Sequence, residues 1–289
     1  MVEVWLPYGK TEVVVRVPVE NLMGVVEPKD REGVQDPKAE IQRALEHPIG
    51  SKALDEIVGD GGGRIAIVVD DGKRPAPSRL MVSSLVEALR RVGVEDEDIT
   101  VIVGCGTRAD SGEGPTLFQE ESWEKIRLVN HDPVAQDLVR VGRTSQGTEV
   151  HVNKAFAEAD IRILTGHIGY HPFAGYSGGS RSVLPGVAGL STIRRNHALL
   201  LDPRARAGNL EENPVHLDMT EAARLVGVDF VLNTVLNTKG EVVRAFAGDL
   251  DRVFSEGVEL VDEMFRVEVD GLADVAIVSP GGQPLDDDL

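Results

Sequence analysis

Three short apolar runs constrain this chain more than anything else in it. Arg64 to Val69, Ile99 to Val103 and Ile161 to Leu164 are rich in β-branched residues, and each runs straight into a loop dense in glycine or charge. Runs of that length without polar alternation predict strands buried on both faces. A helical pattern follows the first: Ser78 reads as the cap of a helix with Leu80, Leu85 and Leu89 on its apolar face. Glu120 to Ile126 reads as a further helix. The alternation predicts an α/β fold, a doubly wound, mostly parallel sheet with helices on both faces. Ligands of such sheets sit beyond the strand carboxyl ends. The loops starting at Asp70, Gly104 and Thr165 all fall there.

The flanking elements read as follows. Glu3 to Val17 alternates and turns at Tyr8-Gly9-Lys10, a hairpin. Asp36-Pro37 is an N-cap followed by proline at the first helical position, before Ile41, Ala44 and Leu45. A short helix is expected over Ser51 to Val58. A strand pair is expected at Leu138 to Val141 and Glu149 to Val152, turning at Gly147. Ser191 reads as the cap of a helix carrying Arg194, Arg195 and His197. Glu221 to Val226 reads as helical. Phe230 to Asn233 and Glu241 to Ala245 flank a turn at Asn237 to Gly240, and a long helix runs from Leu250 to Phe265. Asp274 to Ser279 looks like a fresh strand, followed by Pro280-Gly281-Gly282.

Composition excludes several partners. A net charge of −18 over 289 residues argues against nucleic acid and against an anionic membrane, both polyanions. The single cysteine, Cys105, rules out an intrachain disulfide and fits a reducing compartment; it reads as a small core residue. No basic-then-apolar leader opens the sequence and no apolar run is long enough to span a bilayer, so the cytoplasm is the expected location.

The loop after the third strand concentrates chemistry. Three of the chain's seven histidines, His167, His171 and His197, lie between Thr165 and His197, among glycines and three arginines. Glycine allows a backbone to approach a ligand closely, and bare N–H groups on such a turn attract anions. Imidazole, with an ordinary pKa of ~6.5, takes and returns protons at neutral pH. An isolated His171 would read as a core histidine bonded to a carbonyl. Between Gly169 and Ser177-Gly178-Gly179 it reads as functional. There is no HExxH or CxxC spacing, so no all-protein metal cage is evident. No GxGxxG follows an early strand, which weighs against a nicotinamide dehydrogenase.

His171, Ser177-Gly178-Gly179, Arg181, Pro185-Gly186 and Asn196-His197 together resemble the central motif of the nickel-dependent lactate racemases, and the likeness runs from Tyr8 to Asp286. The resemblance implies a 2-hydroxy acid racemase or epimerase, an isomerase that works by hydride transfer to a nickel-pincer nucleotide, a pyridinium mononucleotide. By that resemblance His171 is the general acid/base, and Asp71, Arg74 and Arg108 stand at catalytic positions. Ser177, Gly178, Gly179 and Arg181 bind the cofactor, and His197 ligates nickel. His167 takes a structural part, and His131, Asn213 and His216 take packing or turn roles. Two positions depart from the family. Arg181 replaces a lysine that tethers the cofactor, which implies non-covalent binding, since arginine stays protonated. Arg108 replaces a second acid/base histidine. The resemblance also predicts residues 1–270 as a cofactor-binding α/β domain and 271–289 as the first strand of a second, truncated one. The expected partners are a small 2-hydroxy acid and the cofactor's synthesis enzymes. The alternative is a non-catalytic or degenerate cofactor-binding relative.

Overall fold

The computed structural model describes residues 1–59, 63–72, 75–107 and 123–281. The chain divides into two units, Met1–Lys29 with Phe265–Leu289, and Asp30–Met264. In the smaller unit β1 (Val2–Tyr8) and β2 (Thr11–Val17) form the expected antiparallel hairpin, turning at Gly9-Lys10. The strand expected from Asp274 to Ser279 does not form: among the described residues it has no ladder partner, and Val275 and Val278 stand exposed. An apolar run without a neighbouring strand has nothing to satisfy its backbone as a sheet.

The larger unit is built on six strands. β3 (Ile65–Asp70), β4 (Ile99–Gly104) and β5 (Arg127–Asn130) step outward in one direction. The chain then makes a separate ribbon, β6 (Val139–Arg143) with β7 (Glu149–Val152), and re-enters the sheet as β8 (Ile161–Ile168) on the other side of β3. After a small hairpin, β9 (Tyr170–His171) with β10 (Gly175–Tyr176), it adds β11 (Phe230–Leu236) and β12 (Val242–Gly248) beyond β8. The sheet order is therefore β12-β11-β8-β3-β4-β5, parallel except for β12. This is the strand order of a doubly wound nucleotide-binding sheet, and it reverses direction between β3 and β8.

Alternation along each strand sends residues to opposite faces. Ile65, Ile67, Val69, Ile99, Val101, Ile161, Ile163, Phe230 and Leu232 form one core with three helices. These are α1 (Pro37–Glu46), α2 (Leu54–Val58) and α3 (Ser78–Arg91). As the sequence indicated, Asp36 caps α1 by accepting from the Ala39 amide at 3.0 Å. Ala66, Val68, Ile102, Leu164 and Ile168 seal the other face. There the short α4 (Lys154–Ala157) accepts the Arg162 guanidinium through the Phe156 and Ala157 carbonyls, and Ile168 packs where Gly257 of the long last helix leaves room. Each fully buried Ile, Leu or Phe is worth ~1.5–3 kcal/mol, so two sealed faces make this sheet a rigid platform.

Several local expectations are corrected. Ser78 does not cap α3: Pro77 holds that position, no side-chain cap bond forms, and Ser78 is itself buried in the first turn. Ser191 likewise sits inside α5 (Leu190–His197), which starts after Gly189. Of the helix expected over 120–126, residues 120–122 lie outside the described residues, and 123–126 form a turn closed by Ile126 N–H to Trp123 at 3.2 Å. The helix read at Glu221 to Val226 is longer: α6 (Pro214–Val226) begins at Pro214 with Asn213 as its cap, accepting from Val215 and His216. The last helix, α7 (Leu250–Phe265), has the bounds expected of it. Among the described residues no helix is long and apolar enough to cross a membrane.

Candidate cofactor and proton-transfer site

A cleft of about 440 Å³, its mouth included, opens at the carboxyl ends of β3, β4 and β8. It lies where the sheet order reverses, because loops leaving neighbouring strands in opposite directions leave a crevice between them. Asp70 closes the β3 side, Gly104 to Gly106 the β4 side, and Gly166 with His167 the β8 side. Ser177, Gly178, Arg181, Ser182, Pro185 and Gly186 complete the wall. The Gly106 amide donates to the Gly186 carbonyl at 3.1 Å, which draws the β4 loop against the turn that follows β10.

That turn is tied down from inside. Ser177 donates its hydroxyl to the His167 carbonyl at 3.0 Å and its amide to the Gly169 carbonyl at 2.7 Å. The Gly179 amide donates to Asn233 Oδ1 at 3.2 Å, and Ser182 donates to the Thr165 carbonyl at 2.8 Å. Bare N–H groups on this turn were expected to attract an anion; those of Ser177 and Gly179 are instead used within the protein. What the turn presents to the cleft includes a side-chain-free backbone at Gly178 and part of Arg181. At Gly178, with φ +84°, an added Cβ would stand 2.8 Å from Asn233 Oδ1 and 2.9 Å from the His167 carbonyl oxygen.

His171 and His197 do not line the cleft themselves; both touch one ring, Phe173. His171 packs edge-on against Phe173 with centroids 4.5 Å apart, and Phe173 meets His197 at 5.3 Å. His197 ends α5 beside Arg181. Burial pushes its pKa down, the Arg181 charge adds to that, and the Ile193 carbonyl one turn back opposes it. Its Nδ1 is buried without a well-formed hydrogen bond among the described residues. A neutral imidazole suits a metal. Among the described residues no three His, Cys, Asp or Glu gather into a metal cage. His171 accepts the Ala174 amide at Nδ1, 3.1 Å away.

The remaining site residues fall as follows. Asp71 is half-buried just past the end of β3, while Asp70, its neighbour, lines the cleft. Arg74 and Arg108 lie outside the described residues. Gly179 does not line the cleft but backs it, packed against Phe254. Cys105, expected in the core, stands half-buried at the cleft wall, its thiol donating to the His131 carbonyl. His131 is buried against the Ala188 carbonyl at 2.8 Å, a packing role. His216 stacks on Phe254 at 5.4 Å.

The residue pattern agrees with that of known proteins. The description "Lactate racemase N-terminal domain" matches residues 8–208. The lactate racemase of Thermoanaerobacterium thermosaccharolyticum is 33% identical over 296 aligned positions, covering all of this chain and 69% of that protein. The lactate racemase of Lactiplantibacillus plantarum is 34% identical over 298, again covering all of this chain and 69% of the relative. The chain belongs to the lactate racemase family. In three dimensions it is similar to the lactate racemase apoprotein of T. thermosaccharolyticum, with TM-score 0.88 and 32% identity, covering 99% of this chain and 68% of that one. A protein from Thermotoga maritima shares the fold alone, at TM-score 0.63 and 19% identity over 78% of this chain and 59% of that one.

Within this lactate racemase fold, sequence reasoning missed several contributors. His167 was set aside as structural, yet it lines the cleft at the end of β8. Asn213 was read as a turn residue, yet besides capping α6 it donates to the Phe173 carbonyl at 2.9 Å, fixing the ring that both histidines touch. The Asn-Pro pair carries the same signature as Asp36-Pro37 and was legible. Asn233 was not: only the folded register brings it under Gly179.

Proposed function

We propose that this chain holds a nickel-bearing pyridinium mononucleotide in the strand-end cleft and with it interconverts the enantiomers or epimers of a 2-hydroxy acid. The carrying observation is the convergence of His171 and His197 on Phe173, next to Arg181 and a glycine-walled cleft. The residues suit the group. Arg181 offers a planar two-pronged donor for a phosphate or thiocarboxylate, the Gly178 backbone leaves room for a flat ring, and His197 supplies a neutral nitrogen for nickel. Because arginine cannot be acylated, the group is held by charge and by the metal, not by a covalent bond. When bound, it supplies an acceptor for the hydride on the substrate's Cα.

The chain's own part is to orient and to manage protons. His171 serves the substrate oxygen. By family resemblance, Asp71 would supply a carboxylate, and Arg74 and Arg108 guanidinium groups, to orient the substrate carboxylate and the imidazole. The cofactor's synthesis enzymes are the expected partners in loading it. The test is co-expression with those enzymes, followed by polarimetry on single enantiomers of small 2-hydroxy acids. Racemisation or epimerisation that falls at least tenfold in His171→Gln supports the reading. Arg108, in place of a second acid/base histidine, favours one other reading, a carrier of the nucleotide. Uptake of nucleotide and nickel with no interconversion of any enantiomer would establish that carrier.

A further inference from the structure

One cluster outside the cleft has no part in the account so far. Asp262, near the end of α7, accepts the hydroxyl of Tyr170 at 2.8 Å and that of Tyr176 at 2.5 Å on the same oxygen, Oδ1. The two phenol rings stack with centroids 5.0 Å apart. Tyr176 is 2% exposed. Burial, then the bond to Asp262, holds its phenol well above the ordinary value, so it remains a donor. Tyr170 and Tyr176 face each other across the β9–β10 ladder, and the residues between them are those that carry the site. That five-residue bend holds His171, Phe173 and Ala174, with the Ala174 amide on His171 Nδ1. A carboxylate that takes two phenols is a charge-assisted contact, stronger than neutral pairs and specific in geometry.

The hydrogen bond at Nδ1 has a chemical meaning. A neutral imidazole has one N–H and one lone pair, and here the lone pair on Nδ1 is turned to an amide. The proton of the neutral ring then sits on Nε2. We propose that Asp262 is a positioning residue which, through Tyr170 and Tyr176, clamps the bend and fixes His171 as an Nε2–H hydrogen-bond donor to the substrate oxygen. Its meaning for turnover rests on the function proposed above; the clamp and the tautomer do not. For His171 to take the hydroxyl proton at Nε2, its own proton must first sit on Nδ1, which requires the Ala174 amide to let go, so the clamp also sets how often the ring is base-competent.

The test is imidazole ¹⁵N–¹H correlation on the purified chain without cofactor, which reports each ring nitrogen as protonated or not. In wild type at neutral pH, His171 is expected to show a bare Nδ1 and a protonated Nε2. Asp262→Leu should convert this to a mixture of tautomers, and so should Tyr170→Phe with Tyr176→Phe, which keeps both ring volumes if the leucine variant fails to fold. Glu263→Gln, which breaks only the neighbouring surface pair to Arg31, should leave the pattern unchanged. A protonated Nδ1 in wild type, or an unaltered His171 in the double phenylalanine variant, overturns the proposal. Neither result depends on racemisation, so this inference and the proposed function fail separately.

Discussion

Replacing Gly178 by alanine separates two costs that are usually confounded. Gly178 has φ +84° and ψ −173°, a region essentially reserved for glycine that costs another residue ~1–3 kcal/mol. Its Cβ would also stand 2.8 Å from Asn233 Oδ1, 2.8 Å from Ile168 Cγ1 and 2.9 Å from the His167 carbonyl oxygen. Two of those neighbours are a buried strand side chain and a backbone carbonyl, so relief means moving the sheet or breaking the Asn233 to Gly179 bond. Overpacking of this kind costs ~1–3 kcal/mol. Gly227, at the end of α6, is the control: its φ is +79°, and nothing lies within 4 Å of its would-be Cβ. Gly227→Ala should therefore cost only the backbone share, ~1–3 kcal/mol, and Gly178→Ala that share plus the overpacking, ~2–6 kcal/mol. In a unit of this size each kcal/mol moves the melting temperature by ~2–4 °C, so Gly178→Ala should melt several degrees below Gly227→Ala. Calorimetry or urea titration reads this directly. Equal losses in the two variants would refute the claim that the turn is fitted tightly under the cleft.

Asp218, fully buried, accepts from Thr144 at 2.5 Å, Thr148 at 2.9 Å and Asn196 at 2.9 Å, so Asp218→Ala leaves two hydroxyls without that acceptor, removes one of the two acceptors of the Asn196 amide, and should cost ~3 kcal/mol or more in urea titration. Burial lowers the pKa of His216 to about 4, with Arg224 adding to the shift and Asp251 opposing it. The folded value lies below the unfolded ~6.5, so the unfolded chain binds the proton more readily. The stability this contributes is whole above pH ~6.5 and is lost as pH falls toward 4, by up to ~3 kcal/mol. Melting curves from pH 7 to 4.5 should be shallower in His216→Phe, which keeps the stack on Phe254. Arg181→Gln should weaken binding of a pyridine mononucleotide ~10–100-fold by calorimetric titration, the worth of a charged phosphate contact.

The sheet was readable because its strands are unbroken β-branched runs, and burial on both faces demands no more than that. The α7 bounds were equally plain, since its apolar spacing holds to both ends. The caps at Ser78 and Ser191 misled because a serine beside an apolar run satisfies the local pattern whether or not its backbone leaves the helix there. Residues 274–279 misled for the opposite reason: strand propensity is necessary for a ladder but does not supply a partner. In the site, the histidines and Arg181 stood out by type and density. Asp262, 86 residues after Tyr176 in the chain, carries no local signal at all, and its role exists only once α7 lies against the β9–β10 hairpin. The spent amides of Ser177 and Gly179 were hidden for the same reason, because their acceptors depend on register and not on motif.

The central claim is that Arg181, Gly178 and His197 hold a nickel-bearing nucleotide without a covalent bond. Mass spectrometry of the chain co-expressed with the cofactor's synthesis enzymes, run under native and then denaturing conditions, tests it most directly. The account predicts a native mass that includes nickel and a mononucleotide, and a bare polypeptide after denaturation. A bare chain under both conditions, or an adduct that survives denaturation, would contradict it.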